Sequence, residues 1–109
     1  MQKRIELITQ ILDEKKAEDI RVIDMRKEDY FVEFVIIATS LTQRHSLALI
    51  DELKTKLKPN GENFLNVEEG EEWSVIDLGD IIIHLLSEDY RKIYNIEELL
   101  QNLKTRQNQ

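Results

Sequence analysis

Apolar residues along this chain follow two spacings, and the change from one to the other divides it into elements. Ile5, Ile8, Ile11 and Leu12 recur at intervals of three and four, with Arg4, Glu6, Asp13 and Glu14 around them, which predicts a short amphipathic helix over residues 4–16. Lys15 and Lys16 at its end complement the helix dipole. Residues 19–25 set Ile20 and Val22 against Arg21, Ile23 and Met25, a strand whose charged interruptions suit an edge or a half-exposed face. A polar turn over 26–29 leads into residues 30–39, β-branched and aromatic almost throughout and read as an inner strand. Ser40 and Gln43 form a capping box with Ser40 as N-cap. Leu49, Ile50, Leu53 and Leu57 give the helix that follows its buried stripe, and Pro59-Asn60-Gly61 stops it.

Residues 63–67 are a weak strand and residues 68–72 an acidic loop with one glycine. The most continuous apolar stretch is residues 73–86, two runs rich in Val and Ile around Asp77-Leu78-Gly79-Asp80. They read as a hairpin closed by a type II or II′ turn, with Gly79 supplying the positive φ. Apolar residues at nearly every position predict that helices cover both faces of this hairpin. Ser87 caps a short helix over 88–94, and Asn95 with Glu98 opens a last helix through Lys104 that buries Ile96, Leu99, Leu100 and Leu103. Residues 105–109 lack apolar side chains and are expected to fray. The order of elements describes a single α+β domain over residues 1–109, ordered over about 4–104, with a mixed sheet and packed helices.

Composition narrows the function. There is no cysteine, which excludes disulfides, thiolate metal sites and thiol catalysis and fits a reducing compartment. No apolar run follows the basic pair near the amino terminus as a secretory signal requires, and none reaches the roughly 18 residues of a membrane span. A cytoplasmic setting is expected. The net charge of −7, from 22 acidic and 15 basic side chains, disfavours direct nucleic-acid binding and suits a basic protein partner, or simply solubility.

Catalytic material is sparse. His45 and His84 are the only histidines, and no His-x-x-x-His or Glu-x-x-His spacing marks a zinc site. His45 lies in the first turn of a helix, where the dipole disfavours its charged form. Three glycines in all leave no phosphate-cradling loop. Asp77 and Asp80 are the sharpest enzymatic possibility, as carboxylates that hold Mg²⁺ for phosphoryl or nucleotidyl transfer, or else as ordinary turn residues bonded to local amides. His84 shares a strand face with Ile82 and Leu86 and reads as a packed, hydrogen-bonded side chain. Trp73, the one tryptophan, is either core or an interface anchor.

Taken together, Lys16-Ala17-Glu18-Asp19-Ile20 with Asp24, Ile36-Ile37-Ala38-Thr39 leading to Arg44-His45, Glu69-Gly70, residues 73–80, His84, and Arg91, Tyr94 and Glu97 resemble the bacterial ribosomal silencing factors related to the plant Iojap protein. The likeness spans about residues 5–103. Ser40 stands where that family usually has glycine, and Leu100 where it often has tryptophan. The resemblance implies a nucleotidyltransferase-like fold with a mixed sheet of about five strands, frequent homodimers, no cofactor and no catalysis. It implies a factor that docks on ribosomal protein L14 of the large ribosomal subunit, blocks joining of the small subunit and lowers translation when nutrients are scarce. Trp73 and Leu78 would then form the apolar part of the docking surface, with Glu69, Asp77 and Asp80 facing basic groups and Gly79 part of the same surface. Arg44 and His45 would line the same surface or order the sheet end.

Overall fold

The computed structural model describes residues 1–107. It contains α1 (Gln2–Glu14), β1 (Glu18–Asp24), β2 (Phe34–Thr39), α2 (Gln43–Leu57) followed by a 3₁₀ turn (Lys58–Asn60), β3 (Asn66–Glu68), β4 (Trp73–Asp77), β5 (Ile81–Leu86), α3 (Glu88–Ile93) and α4 (Ile96–Gln107). The strands form one five-stranded mixed sheet in the order β1-β2-β5-β4-β3. β2 and β5 run parallel at its centre, and every other pair is antiparallel. This is the α+β architecture expected from the sequence.

Alternation along the strands sends side chains into two separate cores. Phe34, Ile36 and Ala38 of β2 and Ile81, Ile83 and Leu85 of β5 meet Ile8, Leu12, Leu49 and Leu53 of α1 and α2. Val35, Ile37, Ile82 and Leu86 point the other way, onto Leu100 of α4 with Ile96, Leu103 and Tyr90 beside it. All six residues of β2 are buried, because helices cover both faces and strands flank both edges.

The β4–β5 hairpin closes as expected, pairing Asp77 with Ile82 and Trp73 with Leu86. Gly79 stands at φ +96° in the first central position of the turn, and the Leu78 amide donates to the Ile81 carbonyl at 2.9 Å. A positive φ at that position without one at Asp80 is the type II′ arrangement, whose twist suits a hairpin.

Several sequence expectations need correction. β2 begins at Phe34, not Tyr30, because its partner β5 begins at Ile81. Ahead of that point the chain bends away, and the Glu33 amide donates to the Asp80 carbonyl instead. The N-cap of α2 is Thr42, whose hydroxyl accepts from the His45 amide, and not Ser40. Ser40 is buried and its Oγ accepts from Ser46 Oγ at 2.6 Å. The weak strand is shifted to Asn66–Glu68. Leu99 is 60% exposed, because the buried side of α4 runs through Ile96, Leu100 and Leu103 at intervals of four and three. α4 continues to Gln107, three residues past the expected end, while positions 108–109 of the expected frayed tail lie outside the described residues.

Candidate functional site

Cross-strand register builds the first part of the site. Trp73 pairs with Leu86, so His84, two residues back along β5, is its diagonal neighbour on the same face. The indole Nε1–H donates to His84 Nδ1 at 3.0 Å, with ring centroids 5.8 Å apart. Burial pushes the His84 imidazole down to about 4, so near neutral pH the ring is uncharged and its lone pair is free to accept. Tyr94, which ends α3, meets the indole in a tilted contact with centroids 5.4 Å apart, and Tyr90 lies 5.3 Å from Tyr94. The indole is half-buried, its one polar atom is satisfied, and its orientation is fixed by a histidine and a tyrosine.

The acidic loop lies against this cluster. The Ser87 amide donates to the Glu72 carbonyl at 2.9 Å, which ties the loop to the start of α3. Ser74 Oγ accepts from the Gly70 amide at 3.2 Å. A Cβ on Gly70 would stand 2.3 Å from the Trp73 carbonyl oxygen, so this close approach requires glycine. Glu69 is exposed in that loop.

The other residues expected at the site lie at the far end of the hairpin, roughly 13 Å away along β4 at the ordinary rise per residue. Leu78 is buried in the α1–α2 core, on the face opposite Trp73. Asp77 Oδ1 accepts from the Gly79 amide at 2.8 Å, which steadies the turn. The Asp80 carboxylate takes both arms of Arg4, at 2.6 and 2.8 Å, and Arg4 also pairs with Glu62 at 2.7 and 2.8 Å. Arg4 holds the Asp80 carboxyl below the usual carboxylate range. Both turn carboxylates therefore have local structural partners. Among the described residues no three His, Cys, Asp or Glu side chains are grouped so as to hold a metal ion.

His45 is a structural clamp. Its Nδ1 accepts from the Leu41 amide at 2.9 Å and its Nε2 meets the Lys15 carbonyl at 2.7 Å, an arrangement that assigns the proton to Nε2 and joins the end of α1 to the entrance of α2. Arg44, next to it, is exposed. Sequence reasoning gave no role to a further group at the ends of β2 and β5. There Arg91, with only 9% of its side chain exposed, pairs with Glu97 and Asp19 and donates to Thr39 Oγ1 at 3.0 Å. These residues border a cleft of about 520 Å³. The sequence signal was present, since all four belong to the motif stretches quoted above, but their convergence depends on the fold.

Comparison with known proteins identifies the family and the fold. The family model described as "Ribosomal silencing factor during starvation" matches residues 1–109. A ribosomal silencing factor of Halalkalibacterium halodurans is 30% identical over 100 residues, covering 90% of this chain and 86% of its own length. A mouse protein named for mitochondrial assembly of the ribosomal large subunit is 25% identical over 100 residues, covering 87% of this chain and 44% of its own length. A crystal structure of a Chromobacterium violaceum protein superposes with a TM-score of 0.85 at 30% identity, covering 92% of this chain and 85% of that one. The chain belongs to the ribosomal silencing factor family.

Proposed function

We propose that this protein docks on the large ribosomal subunit through ribosomal protein L14, blocks joining of the small subunit by occupying its contact face, and so lowers translation under nutrient limitation. Family membership and the large-subunit wording in the mouse relative's name support the choice of target. The observation that carries the docking surface is the state of Trp73: half-buried, aromatic, and with its N–H already bonded to His84 at 3.0 Å. Such a ring loses little freedom on binding and makes no polar demand on its partner, as suits an interface anchor. Steric occlusion requires affinity and no chemistry, in keeping with turn carboxylates engaged by Gly79 and Arg4.

Within this reading the expected contact residues divide into two groups. Trp73 touches the partner and Glu69 steers basic groups toward it. Asp77, Leu78, Gly79 and Asp80 act from behind, closing and bracing the hairpin that presents the ring. His45 orders the end of the sheet, and the exposed Arg44 is the member of that pair placed to make a contact.

Co-sedimentation with isolated large and small subunits tests the proposal. Wild type is expected to pellet with large subunits only. Trp73→Ala, shown by circular dichroism to be folded, should bind roughly thirtyfold more weakly, the loss typical of a buried aromatic anchor. Absence of pelleting from a folded wild-type sample, or equal binding to large subunits depleted of L14, would overturn it.

A further inference from the structure

The surface around Trp73 extends beyond the hairpin. Ile93 and Tyr94, at the end of α3, are 66% and 48% exposed, and Tyr94 is in ring contact with Trp73. A side chain left as open as Ile93 on a short helix contributes little to the core, and Tyr94 adds a π face tilted against Trp73 and Tyr90. The backbone on either side is fixed as well, since the Tyr94 amide donates to the Tyr90 carbonyl and the Ile96 amide to the Tyr94 carbonyl, each at 2.8 Å. The surrounding charge is acidic. Glu71 and Glu72 precede Trp73, Glu88 and Asp89 open α3, and all four are exposed. On α3 Lys92 pairs with Glu88 at 3.5 Å and Arg91 is engaged by Asp19 and Glu97, so the balance beside Trp73 stays acidic.

We propose that Trp73, Tyr94 and Ile93 form one composite docking patch, shared between β4 and α3, for a protein surface that presents an apolar centre ringed by Arg or Lys. This rests on the large-subunit reading above and specifies the chemistry of the partner face. The aromatic pair receives the apolar centre, and the Tyr94 ring offers a platform to a guanidinium. The carboxylates of the loop and of the first turn of α3 set orientation and encounter rate. An aromatic and aliphatic centre inside a charged rim is the usual anatomy of a protein interface. The acidic rim argues against a nucleic-acid surface, where phosphates would be repelled.

Ile93→Ser is the decisive variant, because its high exposure leaves the fold unaffected, and Phe31→Ser is the control. Phe31 is 69% exposed but lies within the β1–β2 loop, at the hairpin-turn end of the sheet. Binding to isolated large subunits is measured by sedimentation at two salt concentrations. Ile93→Ser is expected to weaken binding roughly tenfold or more and Phe31→Ser to leave it unchanged. Glu71→Lys should slow association and flatten its salt dependence. Wild-type binding with an Ile93→Ser variant of full affinity would overturn the composite patch while leaving the large-subunit reading intact. A Phe31→Ser defect without an Ile93→Ser defect would move the surface to the opposite end. Failure of wild type to bind large subunits would overturn the large-subunit reading, and the patch assigned to it.

Discussion

Trp73 and His84 form a donor–acceptor pair across the hairpin, the indole N–H donating to an imidazole that burial keeps neutral. The burial of that imidazole has a thermodynamic consequence. In the unfolded chain the imidazole takes up a proton near 6.5, while in the folded chain it does so only at about 4. Between those values the unfolded state binds more protons, so this contribution to stability is complete above pH 6.5 and declines as pH falls toward 4. The loss is about 1.4 kcal/mol per pH unit and reaches on the order of 3 kcal/mol at the bottom of the window. His84→Gln keeps an acceptor and does not titrate. Urea unfolding at pH 7, 5.5 and 4.5 should show wild type losing stability faster than His84→Gln. Parallel losses would rule out the assignment.

The entrance to β4 depends on Gly70. A methyl group at that position meets the Trp73 carbonyl oxygen at 2.3 Å, too close for any side chain, and the obstacle is backbone that cannot rotate away. Gly70→Ala should lower stability by roughly 2 kcal/mol and disturb the placement of Trp73. A change in tryptophan fluorescence maximum alongside a lower Tm is the expected pair of readouts. An unshifted spectrum at unchanged Tm would mean that the loop accommodates the methyl group.

The two hydroxyls at the start of α2 have separable roles. Thr42→Ala removes the acceptor for the His45 amide and should cost about 1 kcal/mol, the usual value of an N-cap. Ser40→Ala instead leaves the buried Ser46 hydroxyl without its partner, with a cost of about 1 to 3 kcal/mol for an unsatisfied buried group. The double variant Ser40→Ala with Ser46→Ala should recover part of that loss, whereas adding Ser46→Ala to Thr42→Ala should not. Denaturant midpoints of the four proteins decide the matter.

Much of this was legible in the sequence because the residues involved follow strict periods. The alternation of β2 and β5 and the stripes of α1 and α2 mark both cores, and the placement of Gly79 marks the turn. Where reading failed, two local solutions competed. Ser40 and Thr42 are both good caps, and only the Ser46 contact shows which one is needed elsewhere. Leu99 and Leu100 are adjacent leucines on a helix, so just one can face the sheet. Tyr30 and Phe31 have strand propensity but no neighbour to pair with, since β5 starts too late. At the site, the Trp73–His84 contact follows from hairpin register, while Tyr94 reaches the indole only after α3 turns back over the sheet. Leu78 looked like a turn residue available to a partner, yet its place in the alternation sends it inward with Ile76.

Arg4 joins three segments, and its removal should be felt in all of them. It ties α1 to the hairpin turn through Asp80 and to the loop after α2 through Glu62. Without it, two carboxylates remain without their counter-charge, one of them on Glu62 with 9% of its side chain exposed. Because Arg4 and Asp80 are about a third exposed, solvent screening reduces the cost below that of a fully buried pair, to roughly 1 to 3 kcal/mol for Arg4→Ala. Arg4→Lys should recover less than half, since an ammonium cannot reproduce two bidentate contacts. Recovery to wild-type Tm by lysine would show that charge alone is sufficient.

Arg91 is the more demanding case. It meets Asp19 where β1 bulges, Thr39 where β2 ends, and Glu97 in the first turn of α4, so one guanidinium fixes four elements including its own. Asp19 has φ +46°, a conformation that costs a non-glycine residue about 1 kcal/mol or more, and its carbonyl accepts from Arg91. The arginine therefore compensates a strained backbone as well as two carboxylates. Arg91→Ala should destabilise by roughly 3 kcal/mol and loosen α4, seen as faster amide exchange in α4 than in α2. Arg91→Lys, with one compact charge, should retain the contact to Glu97 at most and sit between the two. Asp19→Gly separates the contributions: it relieves the positive φ and removes a carboxylate, so in the Arg91→Ala background it should restore stability, whereas in wild type it should not. If Asp19→Gly had the same effect in both backgrounds, the strain would not be coupled to Arg91.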